Sequence, residues 1–158
     1  MLPEQTGECE SVSMGNVERP DETREDCFDG AGACFFSNVE DELPSSLVWD
    51  AMRCWRTALD DGAGVQPRLY RALASYECEM LAPVFDSLMN ICEWASERPI
   101  VVGRGRPPSA DERLLLDLLI EPKLAEKRLP CANEVAHVLR CALHSMRIML
   151  KLTLTKGR

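Results

Sequence analysis

The sequence predicts an all-α fold, a compact bundle or array of four to six helices preceded by a disordered acidic N-terminal arm. Three observations lead to this prediction. From Pro44 onward, apolar residues recur at the i, i+3, i+4 and i+7 spacing of amphipathic helices. A β-prone run at 99–103 is too short and isolated to predict a sheet. The acidic residues concentrate before Pro44. We therefore divide the chain into an arm, residues 1–42, and a helical domain, residues 43–158.

The arm differs from the rest of the chain in charge and in pattern. The whole chain of 158 residues has a net charge of −8, whereas residues 1–42 alone hold 12 acidic and two basic residues, a net charge of −10. No helical or strand periodicity runs through the arm, and low hydrophobicity with high net charge is typical of disorder. A short piece near Cys34-Phe35-Phe36 is the part expected to dock. The arm either keeps the protein in solution or has a function of its own.

The first three helices are predicted from start and stop signals. Pro44 with the following serines begins the first helix, and Gly62 with Gly64 ends it. Pro67 suits the first turn of a second helix. A third helix is expected over 79–97, with Pro83 near its start.

The remaining helices follow the loop after residue 99. Ser109 and Glu112 form a capping box, which begins a helix over 111–120 that is apolar nearly all round and is therefore expected to be central. Residues 123–129 are expected to form a charged turn or short helix. The last helix covers 132–153.

Composition limits the compartment and the kind of protein. No apolar run approaches the roughly 20 residues that span a bilayer, so we expect no membrane association. The chain has eight cysteines but no C-x-x-C pair, and its first residues do not resemble a secretory signal. We therefore expect reduced thiols and a cytoplasmic location.

Arg104-Gly105-Arg106-Pro107 is the sharpest local motif. It resembles the AT-hook core, in which an extended Arg-Gly-Arg-Pro segment lies in the narrow A·T minor groove and the arginines follow the negative potential there. The resemblance covers four to six residues and implies DNA binding through these four residues. The alternative is a stiff loop leading into a capped helix.

Both histidines of the chain lie on the last helix. His137, Cys141 and His144 are spaced i, i+4 and i+7, so they share one face, and imidazole and thiolate are good metal ligands. This pattern makes a thiol or metal site one hypothesis. The alternative is a solvated basic face that includes the histidines.

Two charged stripes are candidate interaction faces. The third helix carries the acidic stripe of Glu79, Asp86, Glu93 and Glu97. The last helix carries the basic stripe of Arg140, Arg147 and Lys151. These stripes either meet a partner of opposite charge or are the solvated sides of their helices.

The pattern as a whole favours a non-enzymatic helical protein that acts by protein–protein interaction or regulation. No spacing singles out a nucleophile with its base, and no phosphate-binding glycine loop is present. We expect no cofactor, and we expect the partner to be another protein or a second copy of the chain. A DNA-associated regulator and a thiol or metal-binding protein are the alternatives.

Overall fold

The computed structural model describes residues 44–155. The expected disorder of the arm and the docking of its Cys34-Phe35-Phe36 piece fall outside the described residues. Within 44–155 the chain forms six α-helices, two 3₁₀ turns and no strand, which confirms the predicted fold class. In chain order the helices are α1 (Ser45–Asp60), α2 (Val65–Ala74), α3 (Ala82–Ser96), α4 (Ala110–Ile120), α5 (Ala125–Arg128) and α6 (Asn133–Leu154).

The helix ends follow the local sequence with two corrections. The serines after Pro44 do not cap α1, because Pro44 itself is the N-cap and no side chain of the described residues bonds to the helix start. Gly62 takes a left-handed φ of 61° just after α1, as a stop signal requires. The predicted helix over 79–97 is wrong at its start, because Glu79–Leu81 form a 3₁₀ turn and α3 begins at Ala82. Pro83 lies in the first turn of α3, where its missing N–H has no helical acceptor to lose. Glu79 therefore lies outside α3.

The core lies where α3 packs on α6 and α1 packs on α2. Its large, fully buried side chains come from α1, α2, α3, α4 and α6, among them Trp55, Leu69, Phe85, Leu119 and Leu139. Helix α4 contributes Leu115, Leu118 and Leu119 to this core, but not all of its apolar residues are buried, because Ile120 at its end is 37% exposed. Within 44–155, no helix is both long and apolar enough to cross a membrane.

The described cysteines are free thiols in different surroundings. Cys92 on α3 and Cys78, in the connection that precedes the 3₁₀ turn, are buried in the core, whereas Cys141 on α6 is exposed. Burial raises the pKa of the Cys92 thiol to about 12. Cys92 therefore acts as a packing residue and not as a nucleophile.

Candidate functional site

The connection between α3 and α4, residues 97–109, is named the presented loop. It carries Arg104-Gly105-Arg106-Pro107, and all four residues are exposed. Within the part of the chain that the structure describes, the Arg104 and Arg106 side chains make no ion pair or hydrogen bond. The motif that stood out in the sequence therefore lies on the surface with its charges in solvent.

Glu112, at the start of α4, holds one side of the presented loop. Its side chain is fully buried (0% exposed). Its carboxylate accepts hydrogen bonds from Arg53 Nε at 2.6 Å, from the Gly103 N–H at 3.1 Å and from the Ser109 N–H. Ser109 Oγ in turn accepts from the Glu112 N–H at 3.0 Å, so the predicted capping box is confirmed. The same carboxylate thus caps α4, pairs with α1 and fixes the loop.

Asp111 holds the other side of the presented loop. Its two oxygens accept a bidentate pair of hydrogen bonds from Arg98, both at 2.7 Å. The Val101 N–H donates to the same carboxylate at 2.8 Å, and Ser109 Oγ donates to the Val101 carbonyl at 2.7 Å. Two adjacent acids of one helix turn therefore capture backbone groups at several points along the loop.

Glu93 of α3 adds a third carboxylate to this arrangement. Its Oε1 accepts from the Ile100 N–H at 2.9 Å and from Arg56 Nη1 at 3.1 Å. Each of the three carboxylates therefore has an arginine and at least one loop N–H as partners. Charge-assisted bonds of this kind are shorter and stronger than neutral ones, so the base of the loop is held in one shape.

These contacts lower the pKa values of the two α4 carboxyl groups, Asp111 and Glu112. The hydrogen bond from Arg98 lowers the pKa of Asp111, with burial opposing it. For Glu112, burial by itself raises the pKa, but the bonds from Arg53, Ser109 and Gly103 together outweigh it, and the pKa is lowered. Both groups are therefore ionised at neutral pH, and their arginine partners balance them.

Gly103 is required by close packing and not by backbone conformation. A Cβ at this position would lie 2.8 Å from the Pro107 carbonyl oxygen and 2.9 Å from Glu112 Oε2. At Gly105 the nearest atom to such a Cβ is 4.0 Å away. The loop is therefore tight at its base and open where the arginines are.

The predicted His-Cys set on α6 is only partly brought together. Cys141 Sγ lies 3.7 Å from His137 Nε2, and Arg140 lies 3.1 Å from His137 Nδ1. Burial, followed by the nearby cations Arg147, Arg140 and Lys123, lowers the pKa of His144. Among residues 44–155, no group of three or more His, Cys, Asp or Glu side chains is arranged to hold a metal ion. The structure thus shows a pair of neighbouring donors in a positive environment.

Two residues of the acidic stripe, Asp86 and Glu93, form hydrogen bonds with other parts of the same protein. Asp86 accepts a hydrogen bond from Trp55 Nε1 at 2.9 Å, and Glu93 holds the presented loop. Both residues therefore tie α3 to its neighbours. Glu97 ends α3 in a left-handed conformation with a φ of 53°.

The basic stripe also departs from the expectation of a uniformly solvated face. Arg140 forms an ion pair with Glu126 of α5 at 2.9 Å. Arg147 is only 6% exposed, whereas Lys151 is half-buried. Of the three residues, Arg140 and Lys151 therefore remain at the surface.

Sequence reasoning gave Glu112 a capping role and gave none to Asp111, Arg98 or Arg53. Two adjacent acids directly after an arginine-rich loop were a usable signal for Asp111 and Arg98, because these residues are close in the chain. Arg53 is 59 residues from Glu112, and no local pattern points to that pair.

Comparisons with models of protein families, with curated proteins and with solved structures find no match for this chain. Inferences about its function therefore rest on its own residues, above all on the presented loop and on the outer surface of α6.

Proposed function

We propose that this protein is a non-enzymatic interaction module that binds an acidic segment of a protein partner on the presented loop. Arg104 and Arg106 supply the charged contacts. The observation that carries the proposal is the contrast within one loop. Its base is fixed by the Glu93, Asp111 and Glu112 carboxylates, while its two free arginines face solvent.

A fixed loop is suited to recognition because binding then orders fewer groups. Ordering of loops and side chains is a main cost of association, and preorganisation reduces it. Arginine fits a carboxylate with two parallel hydrogen bonds, so a pair of exposed arginines on a stiff backbone favours an acidic partner. Pro107 and Pro108 restrict the backbone next to the arginines further.

An open groove beside the presented loop provides room for such a segment. It is lined on one side by α1, including Arg53, Arg56 and Asp60, which is paired with Arg56, and on the other by the loop backbone from Pro99 to Gly105. Val101 is 60% exposed, and it offers an apolar contact. The partner segment that fits best therefore combines carboxylates with an apolar side chain.

DNA binding through the same four residues is the second candidate, and their exposure supports it. Two features make it the weaker one. Residues 104–107 form consecutive bends, whereas a minor-groove segment is extended. The helical domain, residues 43–158, holds 14 acidic and 16 basic residues, a net charge of only +2, so little positive charge is available to release counterions from phosphates.

The test compares three full-length proteins: wild type, Arg104→Ala/Arg106→Ala, and the matched control Arg71→Ala/Lys127→Ala. The control removes the same charge from exposed positions on α2 and α5. In a pull-down, a partner protein that binds both wild type and the control is identified and purified. Its Kd is then measured by titration against each of the three proteins. We expect the loop variant to raise its Kd at least tenfold, and the control to change it less than twofold.

Two outcomes would overturn the proposal. One is that all three proteins retain the same partner with equal Kd. The other is that wild type binds A·T-rich duplex DNA with an affinity that falls steeply with salt and is lost in the loop variant, which would assign the loop to nucleic acid.

A further inference from the structure

A second surface, distinct from the presented loop, lies where α3 packs beside α6. The Cys78 thiol, just before α3, is hydrogen-bonded to Thr153 near the end of α6. Further along α3, Ser87 shares an open groove of about 350 Å³ with Ala142 and Ser145 of α6. Residue numbers therefore rise along α3 as they fall along α6, so the two helices are antiparallel. Their common solvent-facing side is named the α3–α6 face.

The α3–α6 face holds a large share of the exposed apolar surface. Nine large apolar side chains of residues 44–155 are clearly exposed, and four of them belong to this face: Met80 (68%), Trp94 (59%), Val138 (42%) and Leu152 (55%). Val138 and Leu152 lie seven residues before and after Ser145, so they share its side of α6. Trp94 lies seven residues after Ser87 on α3, and Met80 is in the turn that leads into that helix. A concentration of this kind marks an interaction surface.

Charged side chains flank this face without entering it. On α3, Asp86 and Glu93 bond to side chains of α1, on the flank opposite α6. Glu79 precedes Asp86 by seven residues and extends this acidic flank. On α6, Arg140 pairs with α5, and Lys151 lies about three turns later on the same basic flank. The face is therefore an uncharged strip with acids along its α3 side and bases along its α6 side.

We propose that a second copy of this chain binds the α3–α6 face, related to the first by a two-fold axis parallel to the two helices. This axis lays α3 of each copy over α6 of the other. Trp94 of one copy then packs over Val138 of the other, and Met80 packs over Leu152, because antiparallel packing puts these residues at the same levels. Both α3 helices run in one direction, so the two presented loops lie at the same end of the dimer.

The arrangement of charges favours a second copy as the occupant. The same axis brings the acidic flank of each copy over the basic flank of the other, and Glu79 comes beside Lys151 at two symmetric places. A two-fold axis at right angles to the helices would instead lay α3 over α3 and α6 over α6. Acids would then face acids and Arg140 would face Arg140, which opposes association. The surface is thus self-complementary in one orientation, as an isologous dimer requires.

The size of the face suits a reversible dimer. From Val138 to Leu152 the helix rises about 21 Å, and the face is two helices wide, roughly 20 Å. Covering such a patch on both copies buries on the order of 1,000 Å², the size at which specific interfaces begin. Trp94, as an exposed tryptophan, is of the residue type that contributes most to such interfaces. Monomer and dimer are therefore expected in an equilibrium that depends on concentration.

Sedimentation equilibrium of the full-length chain over a range of concentrations tests the proposal. Four proteins are compared: wild type, Trp94→Glu, Val138→Glu and the control Tyr70→Glu, which changes an equally exposed apolar residue on α2. We expect wild type to form a species with twice the 17.7 kDa mass of the chain. Each face variant should raise the dimer Kd at least tenfold, and the control should change it less than twofold. Circular dichroism confirms that all four keep their helicity.

Charge reversal tests the orientation of the two copies. Glu79→Lys and Lys151→Glu should each raise the dimer Kd about tenfold, because two symmetric pairs become repulsive, and the double variant should return it close to that of wild type. Three results would overturn the proposal: a wild type that stays monomeric at the highest concentration reached, a dimer that the Trp94 and Val138 variants leave unchanged, or a double variant that binds no more tightly than the single ones.

Discussion

The presented loop and the outer surface of α6 use the same residue types in opposite ways. At the base of the loop, each of three carboxylates is satisfied by an arginine and by backbone N–H groups, and Glu112 is fully buried. Along α6, Arg140 has one exposed carboxylate as its partner, and apolar side chains such as Ile148 remain in contact with solvent. In the first region the paired charges fix the loop backbone, whereas in the second region charged and apolar side chains remain in contact with solvent.

The largest effect in this comparison is expected from removing the Glu112 carboxylate, which lies at the base of the presented loop. Glu112→Gln takes the charge away and turns part of the acceptor into an N–H donor facing the Ser109 and Gly103 amides. We expect the free energy of unfolding to fall by about 3 kcal/mol, since the substitution removes a buried ion pair and leaves the Arg53 charge without its carboxylate. Urea unfolding followed by circular dichroism measures this change.

The matched control for that variant is Glu121→Gln, which removes an exposed acid at the end of the same helix. Its expected effect is within about 0.5 kcal/mol, as is usual for surface positions. Equal losses from the two variants would show that Glu112 has no special structural role.

Lowering the pH should protonate the same carboxylates and so remove their charge without a mutation. The pKa values of Asp111 and Glu112 are lowered in the folded state from ordinary values of 3.8 and 4.5. Their contribution to stability is therefore fully present above those ordinary values, and it is lost as the pH falls through the lower folded values. We expect the urea midpoint of wild type to drop between about pH 4.5 and pH 2, and the drop to be smaller in Glu112→Gln. A wild-type midpoint that is constant over this range would contradict the assignment.

Two glycines of the presented loop separate its tight base from its open tip. Gly103→Ala places a Cβ against the Pro107 carbonyl and the Glu112 carboxylate, and we expect it to cost about 1–2 kcal/mol. Gly105→Ala meets no atom closer than 4.0 Å, so its effect should be small. Thermal melting compares the two, and a larger loss at Gly105 would reverse the description of the loop.

A substitution on the outer surface of α6 should change the free energy of unfolding less than the loop variants do. Ile148→Ser removes an apolar side chain that is nearly half exposed, so little burial is lost, and we expect less than about 1 kcal/mol in urea unfolding. A large loss of stability would mean that Ile148 belongs to the core.

The sequence predicted the parts of this structure that depend on neighbours along the chain. Helical periodicity identified α1 and α6, Gly62 marked the end of α1, and Ser109 with Glu112 gave the capping box, all of which the structure confirms. These features follow from residues within one or two turns of each other.

The contacts that make the candidate site could not be predicted in the same way. Arg53 reaches Glu112 from another helix, and Asp86 receives the Trp55 N–H from α1. Because helix periodicity shows which side of a helix is polar but not what that side meets, Asp86 and Glu93 were assigned to an outer face. The packing of α3 against α1 determines whether Asp86 and Glu93 face solvent or neighbouring residues. That packing depends on the whole core.

The most direct test of the central claim, a loop fixed at its base and free at its tip, is amide hydrogen exchange in the full chain at neutral pH. The Ile100, Val101, Gly103 and Ser109 N–H groups donate to carboxylates and should exchange slowly. The amides of residues 104–106 should exchange at rates close to those of an unstructured peptide. Rapid exchange at Val101 and Gly103, equal to that of the tip, would contradict the account.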